Sequence, residues 1–84
     1  TLNNLIVSKT ELHLGKHTSG HNHGGQEEVY LFTNGKGIMV VDENEYSVST
    51  GDIVLIPDGA FHKVWNEGED DLIFTCVFDG GRNH

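Results

Sequence analysis

Seven short β-prone runs, each closed off by turn-forming residues, confine this 84-residue chain to an all-β fold. The runs are Leu5 to Ser8, Val29 to Thr33, Ile38 to Asp42, Tyr46 to Ser49, Ile53 to Ile56, Phe61 to Trp65 and Leu72 to Phe78. Between them stand Asn34-Gly35, Asp42 to Glu45, Thr50-Gly51-Asp52, Pro57-Asp58-Gly59 and Asn66-Glu67-Gly68. Asn-Gly and Asp-Gly pairs tolerate positive φ and so favour tight turns. The 11 glycines against a single proline fit the same pattern. No run of ten or more residues carries helical periodicity with caps. Strands this short avoid open edges by closing on themselves, so the expectation is a small barrel or closed sandwich.

Length allows one domain, residues 1–84, with a small core. A metal or a partner subunit bound to the native state would add to its stability. With 13 acidic and 5 basic residues the formal charge is −8, and the lysines and the arginine are scattered singly. Nucleic acid and anionic membrane need clustered cations, so neither is an expected partner. No run approaches the ~20 apolar residues of a membrane span and no signal segment is visible, which makes the cytoplasm the expected compartment. The single cysteine, Cys76, has no internal disulfide partner and lies in the apolar run Leu72 to Phe78, as a buried small hydrophobe does.

Chemistry concentrates in two clusters. His21 and His23 are two residues apart, so in an extended segment both imidazoles face one side. Taken alone, a histidine pair among Gly20, Asn22, Gly24 and Gly25 reads as a polar turn. Glu28 changes that reading, because it opens the apolar run Val29-Tyr30-Leu31-Phe32, where an inward carboxylate needs a cation or hydrogen bonds. His62 follows the Pro57-Asp58-Gly59 turn at the start of another apolar run. Three imidazoles and a carboxylate together make a strand-borne metal centre.

The spacing of these residues resembles the two motifs of the cupin family. Gly15, five residues, His21-x-His23, four residues, Glu28, six residues and Gly35 fit the first motif, over residues 15–35. Gly51, five residues, Pro57-x-Gly59, two residues, His62, three residues and Asn66 fit the second, over residues 51–66. The fifteen residues between Gly35 and Gly51 match the short intermotif loop of small microbial cupins. The resemblance implies a double-stranded β-helix, or jelly-roll, barrel. It makes His21, His23, Glu28 and His62 the ligands of one divalent transition metal: Fe, Mn, Ni, Zn, Co or Cu. Glu27 competes with Glu28, but the six-residue step to Gly35 and strand parity favour Glu28. Asn66 reads as a turn or backbone-bonding residue and not as a ligand.

Three neutral imidazoles and a carboxylate leave a divalent ion near +1, and a six-coordinate ion keeps two positions for other ligands. That favours a small, oxygen-rich, chelating molecule. Among cupin activities the first expectation is a metal-dependent dioxygenase or other oxidoreductase, then a decarboxylase, lyase or isomerase. The alternative is a non-catalytic ligand-binding or sensing module with a structural metal. Tyr30 shares strand parity with Glu28, which makes it the candidate catalytic proton donor, against the plainer role of filling the interior. His13 and His17 are expected at the surface. Lys63 is expected to face outward and Lys36 to lie in a turn, so no cation is placed to hold a substrate anion. Small cupins pair through terminal strands, and a homodimer is expected.

Overall fold

The computed structural model describes residues 5–20 and 27–79. Seven strands run in order: β1 (Leu5–Leu12), β2 (Glu28–Asn34), β3 (Lys36–Val41), β4 (Asn44–Ser49), β5 (Ile53–Ile56), β6 (His62–Asn66) and β7 (Leu72–Asp79). All strand pairs are antiparallel. They form a four-stranded sheet of order β1-β7-β2-β5 and a three-stranded sheet of order β4-β3-β6. The 16–18 segment extends the second sheet: Asn66 N–H donates to the Lys16 carbonyl at 2.9 Å, and Thr18 N–H donates to the Val64 carbonyl at 2.9 Å. The result is a jelly roll made of two facing sheets. No ladder closes it between β4 and β5 among the described residues, which corrects the expectation of a closed barrel. These two strands are joined by the Thr50-Gly51-Asp52 turn but belong to opposite sheets.

Alternation along the strands places one face of each sheet inward. Phe32 and Phe74 lie 5.3 Å apart between ring centroids, Tyr30 stacks on Phe74 at 5.0 Å, and Met39 and Val64 face them from the other sheet. Several sequence boundaries shift. β1 runs on to Leu12, since an edge strand can pair with β7 through Lys9, Thr10 and Glu11 without an apolar pattern. Asp42 leaves the ladder for a turn at φ 53°, a left-handed conformation that aspartate tolerates better than most residues. Phe61 precedes β6, and Lys36 opens β3 instead of lying in a turn.

The outer face of the four-stranded sheet is unusual. Val7, Val77, Val29 and Leu55 share one register row across all four strands. Val7 is 59% exposed and Leu55 69%, with Leu5, Leu31 and Ile53 also open to solvent beside them. No helix among the described residues is long and apolar enough to cross a membrane.

Candidate metal centre

Glu28 and His62 are the first residues of β2 and β6, strands of opposite sheets whose inner faces meet. Glu28 Oε1 lies 3.1 Å from His62 Nε2, with side chains only 9% and 2% exposed. His62 Nδ1 lies 3.2 Å from the Ala60 carbonyl. A carbonyl only accepts, so Nδ1 carries the hydrogen, and a neutral imidazole then turns its Nε2 lone pair toward the carboxylate. Two acceptors this close require a shared proton or a cation near both. Two ligand bonds of about 2.1 Å at a right angle put their donor atoms roughly 3 Å apart. The pair therefore fits adjacent positions around a divalent ion.

Glu27 is exposed while Glu28 is buried, as strand parity dictates. His21 and His23 lie outside the described residues, and among the described residues no group of three or more metal-ligating side chains gathers. The chain leaves the described region at Gly20, against the Phe61 ring next to His62, and returns one residue before Glu28.

Tyr30 is buried beside the pair, its ring edge-on to His62 at 5.7 Å between centroids. Burial first, then the neighbouring Cys76 and Glu28, push its phenol well above the ordinary value near 10. It stays protonated and can donate a hydrogen bond, but it is no base. Cys76, its register partner on β7, bonds both Tyr30 and Ser8, and burial raises its thiol as well. Asn66 is 4% exposed, and its side chain ties three segments together by bonds to the Leu12 carbonyl, the Asp70 carbonyl and the Gly68 N–H.

Lys16 and Lys36 are exposed, and Lys63 sits over the Trp65 ring at 4.8 Å on the outer face. His13 and His17 are also exposed; His13 pairs with Asp71 at 3.1 Å. Arg82 lies outside the described residues. A groove of about 530 Å³ opens between β4 and β5, with Tyr46, Asp42 and Asp52 at its rim and Val41 and Val54 in its wall. Val41 is the register partner of His62 and Val54 that of Tyr30, so the groove comes within one side chain of the pair.

The family model for the cupin domain matches residues 9–78. The chain belongs to the cupin family. An uncharacterised protein of Methanocaldococcus jannaschii is 35% identical over 63 residues, covering 75% of this chain and 50% of that protein. The oxalate-binding protein of Thermotoga maritima is 26% identical over 72 residues, 86% of this chain and 60% of the relative. The chain thus spans only half to three fifths of these curated relatives. Among solved structures, that of a predicted oxalate decarboxylase from Thermotoga maritima superposes with a TM-score of 0.84 at 26% identity, covering 88% of this chain and 64% of the other. A Klebsiella pneumoniae protein with a double-stranded β-helix domain superposes at 0.90, with 21% identity, 99% of this chain and 73% of the other. That second likeness speaks for the fold alone.

Proposed function

We propose that this cupin domain holds one divalent transition metal through His21, His23, Glu28 and His62 and binds a small molecule offering two oxygens. The observation that carries the reading is the buried Glu28–His62 pair, whose 3.1 Å spacing and assigned tautomer suit two ligands of one ion. A bound ion would supply Lewis acidity and a fixed template for two substrate oxygens. The protein's own part is to exclude water from Glu28 and His62 and to present the Tyr30 hydroxyl as a donor. The groove between β4 and β5 gives the ligand its route.

The oxalate-binding and predicted oxalate decarboxylase relatives favour a two-oxygen chelator, and oxalate is the first ligand to test. In the enzyme reading the metal supports dioxygenase or other redox chemistry, or decarboxylation, lyase or isomerase chemistry on such a molecule, with Tyr30 as proton donor. The second reading, binding without turnover, is favoured by the oxalate-binding relative and by the charges of the described groove residues, which are those of Asp42 and Asp52 with no Lys or Arg among them. The charge of a bound anion would then rest on the metal alone.

The apolar outer face of the four-stranded sheet is suited to a second copy of the chain. Sheets pack face to face about 10 Å apart, and a two-fold axis along the Val7–Leu55 row would bring Lys9 of one copy toward Asp79 of its partner.

The test is a titration of cobalt-loaded protein with oxalate, followed in the visible spectrum. Ligand entry into the cobalt shell changes the bands in the wild type, while Glu28→Ala shows no such bands. Cobalt bands that oxalate and catechol both leave unchanged would remove the chelating-ligand reading.

A further inference from the structure

The turn ahead of β6 contains a device that the motif spacing does not announce. Asp42 follows β3 in the left-handed region and grips Phe61 twice: its N–H donates to the Phe61 carbonyl at 2.8 Å, and its Oδ1 accepts the Phe61 N–H at 3.1 Å. Phe61 lies between Ala60, whose carbonyl holds His62 Nδ1, and His62 itself. The Ala60 N–H is in turn bonded to the Pro57 carbonyl at 3.1 Å. The backbone that aims His62 is therefore fixed on both sides of the Phe61 peptide.

The Phe61 ring lies against Gly20, the residue before His21 in sequence. It packs so closely on Gly20 that a Cβ there would fall well inside contact distance of its Cζ. Gly20 is at ordinary φ, so its lack of a side chain serves this contact and not a turn. The ring is nevertheless 39% exposed and joins no core cluster, so burial alone does not account for its placement.

We infer that Asp42, Phe61 and Gly20 form a positioning unit that sets His62 through the Phe61 backbone, with the Phe61 ring seated against Gly20. This rests on the metal-centre reading above. Asp42 and Phe61 are positioning residues; neither touches the metal. A unit of this kind predicts coupling: breaking either contact releases the same geometry, so the second break adds little.

The test compares Gly20→Ala, Phe61→Ala, the double variant, Asp42→Ala and Asp42→Asn in the full chain. Cobalt affinity is read by competition with a chelator, and thermal unfolding of the metal-free proteins serves as the stability control. Gly20→Ala and Phe61→Ala should each weaken cobalt binding tenfold or more, and the double variant should lose no more than the worse single one. Asp42→Asn keeps both a carbonyl oxygen acceptor and tolerance of positive φ, so it should retain affinity within threefold, whereas Asp42→Ala should lose tenfold or more. Multiplying losses in the double variant, or Asp42→Ala binding like the wild type, would overturn the inference. So would losses that merely follow the unfolding temperature. Should the wild type bind no metal, the metal reading fails, and NMR of the metal-free protein still decides the positioning. The His62 ring resonances and the Gly20 amide should then move together in Asp42→Ala and stay in place in Asp42→Asn; unmoved resonances in both would refute it.

Discussion

Replacing Asn66 with alanine separates a structural role from a ligand role at the last position of the second motif. Its side chain makes three bonds: its Nδ2 donates to the Leu12 carbonyl and to the Asp70 carbonyl, both at 2.9 Å, and its Oδ1 accepts the Gly68 N–H at 3.0 Å. The bond to Leu12 is fully buried, and leaving such a carbonyl unsatisfied costs about 1–3 kcal/mol. The other two are partly reached by solvent and contribute roughly 0.5–1.5 kcal/mol each. A net loss of about 3 kcal/mol follows, a large share of what a domain this small holds in reserve. At about 4–8 °C per kcal/mol, the unfolding midpoint of the metal-free protein should fall by roughly 12–24 °C. Calorimetry on Asn66→Ala measures this, with metal content determined below the transition. A structural Asn66 gives a large thermal loss with metal stoichiometry unchanged. A midpoint within about 3 °C of the wild type, or a folded variant that has lost its metal, would refute it.

Three further outcomes follow from the same geometry. Gly35 sits at φ 90°, and a Cβ there would lie 2.5 Å from the Asp71 carbonyl oxygen, so Gly35→Ala should destabilise by at least about 2 kcal/mol in denaturant unfolding. Cys76, buried and with its thiol raised by desolvation, should resist a thiol reagent in native protein and react once per chain in guanidinium; reaction within mixing time would contradict its placement. Val7→Lys, on the exposed apolar row, should turn a sedimenting dimer into a monomer while shifting stability by no more than about 0.5 kcal/mol; a monomeric wild type would end the pairing proposal.

Most of the strand layout was legible because turn residues sit between alternating runs, and parity alone separates buried Glu28 from exposed Glu27. What was not legible depends on pairing between distant segments. β1 continues through Lys9 and Glu11 because β7 offers backbone partners, something no apolar pattern announces. Asp42 reads as the end of a strand until its two bonds to Phe61, nineteen positions away, are seen. The contact of Cys76 with Tyr30 and Ser8 likewise arises from the register of three strands. An Asp opening the Asp42-Glu43 turn was the one local sign of a residue suited to positive φ.

Metal binding by Glu28 and His62 is tested most directly by elemental analysis of untagged protein purified without chelator, beside Glu28→Ala and His62→Ala variants checked for folding by circular dichroism. Close to one transition-metal ion per wild-type chain is expected, and almost none in either folded variant. Folded wild-type protein that stays metal-free after reconstitution with Fe, Mn, Co, Ni, Cu and Zn in turn would contradict it.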